Sequence, residues 1–92
     1  MYTITQYTKD QARKLGVKVR PSTKAHKKID VISSDGEVVA SVGDVRYADY
    51  PTYVKEKGRE YADKRRELYK KRHEKNRHVR GTPSFYADQL LW

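Results

Sequence analysis

Arg65 and Arg72 stand seven residues apart with Tyr69 between them, in the stretch Arg59-Glu-Tyr-Ala-Asp-Lys-Arg-Arg-Glu-Leu-Tyr-Lys-Lys-Arg-His73. A guanidinium is a rigid fork of donors that holds a phosphate or carboxylate with two bonds, and a tyrosine ring offers a stacking face for an unpaired base. That is the chemistry of recognition rather than of bond making. A seven-residue interval is two helical turns, so the pair needs one long helix. On steps of roughly 100° counted from Tyr61, Arg65 and Arg72 fall at about 40° and 20°, inside the arc bounded by Leu68 and Tyr69. Glu60, Asp63, Glu67 and Glu74 lie on the other side. The spacing predicts an amphipathic helix with an acidic outer stripe and two cations on its inner face. Because an unpaired buried charge is costly, two readings follow. In one, Arg65 and Arg72 stack on tyrosine and pair with Asp30, Asp44, Asp49 or the Trp92 carboxylate. In the other, they project from a notch formed with Tyr61, Tyr69 and Trp92 toward a phosphate or an acidic partner.

Other chemistry has little to work with. The chain has no cysteine, which removes disulfides, zinc ribbons and thiol catalysis together. His26, His73 and His78 are its only histidines, and five residues between His73 and His78 is the wrong interval for two ligands on one helical face. No glycine-rich phosphate loop and no nucleophile-and-base spacing is present. The expectation is a non-enzymatic protein with no cofactor and no metal.

Charge points more firmly to a partner. The 92 residues carry a formal net charge of +9, and it is unevenly placed. Residues 1–54 hold nine Lys/Arg against six Asp/Glu, residues 55–80 twelve against five, and residues 81–92 a single Asp. Such clustering is the electrostatic footprint of nucleic-acid binding. The residues placed to neutralise phosphates are Arg66, Lys70, Lys71 and His73 at the end of the helix, Lys75, Arg77, His78 and Arg80 just beyond it, and Lys24, Lys27 and Lys28 in a separate basic loop. The acidic stripe keeps the helix from lying flat in a groove, so binding should be phosphate-led and weakly specific.

The remaining elements position these groups. Residues 1–7 read as a short strand or an ordered arm. Thr8 to Gln11 has the form of a capping box, and the short helix that follows ends at Gly16. Residues 17–20 are extended before Pro21. The runs at about 28–33 and 37–43 flank Ser34-Asp35-Gly36, a strong hairpin signal, with Ile29, Val31, Val38, Ala40 and Val42 alternating toward one face. Pro51 starts a short helix capped by Asp49 or Tyr50, and Gly58 bends the chain into the long basic helix at about 59–75. Residues 75–81 form a basic connector, and Thr82-Pro83 opens a last helix at about 83–91 whose apolar residues must dock, on this domain or on another molecule. The expected fold is one small α+β domain over residues 1–92, with the hairpin, and a third strand at 17–20, packed on the long helix.

The pattern Arg65-Arg66-x-x-Tyr69-x-x-Arg72-His73, then Pro83-Ser84-Phe85-Tyr86-Ala87 and Leu90-Leu91-Trp92, resembles a family of small basic proteins of unknown function from large DNA viruses and tailed phages. The stretch from Ser41 to Tyr50 is similar to the same family. The resemblance implies a viral setting and no established activity, and it assigns no residue a role. Two functions are therefore expected in order. The first is phosphate-led binding of DNA or RNA. The second is a structural virion role, as a minor capsid, cement or internal protein, docking through the Tyr/Arg face or the apolar C-terminal helix. Either places the protein in the virion or the infected-cell interior. No signal-peptide pattern and no membrane-length apolar run is present, and oligomeric state is open.

Overall fold

Ile29, Val31, Ala40 and Val42 alternate toward one face of the hairpin, and what covers that face decides the fold. The computed structural model describes residues 2–92, with α1 (Gln6–Leu15), β1 (Lys18–Pro21), β2 (Ile29–Ile32), β3 (Val38–Val42), α2 (Tyr50–Lys57), α3 (Arg59–Arg72) and α4 (Pro83–Leu91) in order. The strands form one antiparallel sheet in the order β1-β2-β3. Val31 lies between Val19 and Ala40, Ile29 pairs with Val42, and a bulge falls between Val31 and Ile32. The architecture is α+β, and the strand at residues 18–21 is the third one expected.

The sheet is covered by α4 and α1, not by the long helix. Leu90 and Leu91 of α4 are fully buried and join Ala12, Ile29, Val31, Ala40 and Val42 in the core. The long helix packs mainly on α2 and reaches the core through α4. The reason lies in its composition. Only Ala62 of α3 is fully buried, while Tyr61 and Leu68 remain exposed. The sheet needs aliphatic side chains to cover it, and α4 supplies Leu90 and Leu91.

The local signals behave as physical chemistry requires, with one displacement. Gly16 takes the left-handed conformation at φ 73° and ends α1. Asp49 caps α2 by accepting from the Thr52 amide, and Thr82 caps α4 by accepting from the Phe85 amide, each ahead of a proline in the first turn. Helix α1 begins one turn earlier than Thr8, because Thr5 is its cap and accepts from the Thr8 amide. Residues 6 and 7 therefore belong to the helix rather than to an arm. The Thr8 hydroxyl is buried and donates to the Leu90 carbonyl at 2.8 Å, so it pins α1 to α4. At its other end the long helix stops at Arg72, three residues short of the expected boundary, with His73 as its cap, and the chain turns through residues 73–82.

Candidate nucleic-acid interface

Three elements converge on the notch. Helix α3 contributes Arg65, Tyr69 and Arg72, α4 contributes Ala87 and Leu91 with Trp92 beyond it, and the segment after β3 contributes Gly43, Asp44, Tyr47 and Ala48. With Tyr53 of α2 and Lys28 they line a cavity of about 250 Å³. Tyr69 and Trp92 stack with ring centres 4.5 Å apart and an interplanar angle of 10°, and His73 lies on Tyr69 at 4.3 Å. Tyr53 stands 6.1 Å from Trp92. Tyr61 is not part of the lining and packs behind Tyr53 at 5.5 Å. Burial raises the Tyr69 phenol above its ordinary pKa, with the nearby Asp88 carboxylate adding to the effect. Tyr69 is therefore a neutral ring at physiological pH.

The charges around this cavity do not cancel. Lys28 is buried and pairs with the buried Asp49 at 2.9 Å. Asp44 is held by Arg46 through a bidentate pair at 3.0 and 2.8 Å and by the Arg46 amide, which together keep its carboxyl far below the usual range. Asp30 accepts from Ser41 and Arg20. Asp30, Asp44 and Asp49 thus each have another partner. Neither arginine forms an ion pair among the described residues, and both are exposed. The internal pairing expected of them does not occur. Arg65 instead rests over the Tyr53 ring at 5.7 Å.

The helix has turned relative to the arc read from its sequence. Counting the same steps of roughly 100° from Tyr61, the residues that reach the interior lie between about 80° and 180°: Ala62, Arg66, Tyr69, Lys70 and His73. Arg65 and Arg72 fall at the edge of that arc, at the lip of the cavity. Arg66 takes the inward place instead. Its guanidinium lies 3.4 Å from the centre of the Tyr50 ring and donates to the Tyr7 hydroxyl at 3.4 Å. Its Nε is buried without a hydrogen-bond partner, which reduces the net gain.

Of the residues expected to contact phosphate, several are occupied within the fold. Lys28 leaves the basic loop for Asp49. Lys70 pairs at 2.9 Å with Asp88, which is buried. Arg77 reaches both Glu74 and Asp88, and His78 joins Glu74. Hydrogen bonds from His78 and Arg77 hold the Glu74 carboxyl below its ordinary pKa. The connector is therefore a braced turn rather than a loose basic segment. Arg80 lies over the Phe85 ring. Lys24, Lys27, Lys71 and Lys75 are exposed and unpaired among the described residues. Lys27 and His73 line a second cavity of about 180 Å³, which shares Gly43, Tyr69 and Ala87 with the first. Lys27, Tyr69, Arg72 and Arg65 thus border two adjoining cavities.

These placements separate two arginines that are adjacent in chemistry. Arg66→Gln is expected to lower stability by about 2 kcal/mol, the scale of a desolvated cation–π contact, while Arg72→Gln leaves melting unchanged. Thermal denaturation of both variants checks this, and equal melting shifts would contradict it.

Tyr47, Tyr53 and Gly43 were not singled out as site residues by sequence. The excess of eight tyrosines was the available signal. Among the described residues no group of three or more His, Asp or Glu is placed to hold a metal ion, and no helix is long and apolar enough to cross a membrane. No family model, no curated protein and no solved structure matches the chain.

Proposed function

We propose that this protein binds nucleic acid through phosphate contacts with weak sequence specificity, along the two cavities from Lys27 past Tyr69 to Arg72 and Arg65. The observation that carries this reading is the pair of exposed arginines left without acidic partners beside an aromatic wall. Guanidinium forks suit phosphate oxygens, and rings suit bases that are free of a duplex partner. Lys24, Lys71 and Lys75 extend the positive field on either side. The acidic stripe of α3 favours a single strand crossing the helix over a duplex lying along it. A viral setting rests on the resemblance of the Arg-Arg to Leu-Leu-Trp pattern alone.

The structural alternative keeps one of its two surfaces. Leu90 and Leu91 are in the core, so α4 does not offer its apolar face to another molecule. The Tyr/Arg face remains, with Tyr47 70% exposed, and an acidic protein such as a capsid partner would bind there. Titration of labelled single-stranded DNA, RNA and duplex across salt separates the two. Neutralising about four to six phosphates gives a log–log slope between about −3 and −4 on single strands. A flat salt response, or no binding at low salt, would sink the nucleic-acid reading.

A further inference from the structure

We infer that the 250 Å³ cavity is a receptor for a nucleoside monophosphate, free or as the phosphorylated end of a strand, with its base against Tyr53 and Trp92 and its phosphate on Arg65 and Arg72. In its strand form the inference rests on the nucleic-acid reading; in its free form it stands alone.

Charge supplies the first argument. Lys28 and Asp44 each carry a partner of opposite sign, so the side chains lining the cavity keep a surplus of two positive charges from Arg65 and Arg72. A phosphodiester within a strand has a single negative charge to set against them. A terminal phosphomonoester carries about −1.5 to −2 at neutral pH and presents three acceptor oxygens, which matches the surplus. Arg46 also matters, because its bidentate hold on Asp44 offsets a side-chain carboxylate that would repel a phosphate at the rim.

Size and shape supply the second. Pockets that enclose whole small ligands run to about 300–1,000 Å³, and this cavity falls just below that range. Its size suits no more than a single nucleotide, not successive ones. Its walls are already set: Tyr69 is clamped between Trp92 and His73, and Arg65 rests on Tyr53. Rings fixed in advance lose little freedom on binding. A carboxylate side chain would satisfy the arginines but leave the aromatic walls unused, which is why a nucleotide is favoured over an acidic peptide.

Trp92 is the only tryptophan in the chain, so its fluorescence reads the cavity directly. The experiment titrates the whole protein with adenosine 5′- and 3′-monophosphate, adenosine, inorganic phosphate, a glutamate-rich peptide, and an oligonucleotide with phosphorylated or hydroxyl ends. At least one monophosphate is expected to quench Trp92 at concentrations about tenfold or more below those of adenosine, phosphate or peptide. The matching phosphorylated strand should bind about tenfold more tightly than the hydroxyl one, and Arg65→Gln and Arg72→Gln should each erase about that factor, Arg72→Gln without changing melting and Arg65→Gln with only the small loss of an exposed contact on Tyr53. Equal response to adenosine and both monophosphates, equal competition by the peptide, or a preference that survives both substitutions overturns the inference. Salt-dependent strand binding with no end preference and no mononucleotide quenching removes the cavity's role and leaves phosphate-led binding standing. Arginine-dependent quenching by a mononucleotide with no strand binding does the reverse.

Discussion

Asp49→Ala is expected to cost about 3–5 kcal/mol, the loss typical of leaving one member of a buried ion pair alone. One carboxylate serves three structures. It accepts from the Lys28 ammonium at 2.9 Å and from the Tyr2 hydroxyl at 2.6 Å, and it caps α2 through the Thr52 amide at 3.1 Å and the Thr52 hydroxyl at 2.6 Å. Loss of the cap by itself accounts for about 1 kcal/mol. The larger part comes from Lys28, whose side chain is only 5% exposed and is left with no carboxylate opposite. A small domain with about 5–15 kcal/mol of total stability is brought near unfolding by such a change. Urea denaturation measures it. Lys28→Met should cost less, because Asp49 retains Thr52 and Tyr2 while the new side chain is apolar. A loss below about 1 kcal/mol in Asp49→Ala would mean that water reaches Lys28 and that only the cap was at stake.

The same carboxylate sets an acid limit. Burial by itself would raise the Asp49 pKa, but hydrogen bonds from Thr52 and Tyr2 and the Lys28 charge outweigh it and the folded value lies below the ordinary one. Asp30 behaves alike: burial opposes ionisation, and Ser22, Ser41 and Arg20 overcome it. A group depressed in the folded state contributes its stability in full above its unfolded pKa, about 3.9 for aspartate. The contribution is lost as pH falls through the folded value, because the unfolded chain then binds more protons. Melting temperature should therefore stay flat down to about pH 4 with respect to these groups and drop below it. Asp49→Asn should show a shallower acid limb.

Much of the frame was legible because its signals are local. Ser34-Asp35-Gly36 between alternating apolar runs, Pro51 and Pro83 in first turns, and Gly16 after α1 each constrain their own neighbours. The notch was legible in part for the same reason, since Arg65, Tyr69 and Arg72 share one helix. What escaped depends on long side chains meeting across the chain. Arg66 turns inward toward Tyr50 and Tyr7, the latter 59 residues away, and no periodicity of apolar residues announces a cation stacked on a ring. Lys28 closes a basic run that looks like solvated loop, yet its partner is 21 residues on. Thr5 and Thr8 are each acceptable caps by type. The choice between them is settled by the Leu90 carbonyl, which takes the Thr8 hydroxyl and lies 82 residues away.

Gly43 links the core to the cavities, and Gly43→Ala is expected to cost about 3 kcal/mol in all. Its φ of 83° lies in the left-handed region, where a Cβ costs about 1–2 kcal/mol. A Cβ there would also stand 2.8 Å from Leu91 Cδ1 and 3.0 Å from Lys28 Cβ and Cδ. Neither neighbour can move aside cheaply. Leu91 is 1% exposed in the core, and Lys28 is tied to Asp49. Overpacking of that kind adds about 1–3 kcal/mol. Gly36 is the internal control, because its φ is 90° but nothing lies within 4 Å of the position its Cβ would take. Gly36→Ala should therefore show the backbone cost alone, and the difference between the two variants isolates the packing at Gly43. Equal losses in denaturation would mean that β3 and α4 do not approach as closely as the structure has them. A larger loss at Gly43 ties the cavity floor, built on Gly43, Lys28 and Leu91, to the same contacts that hold the sheet under α4.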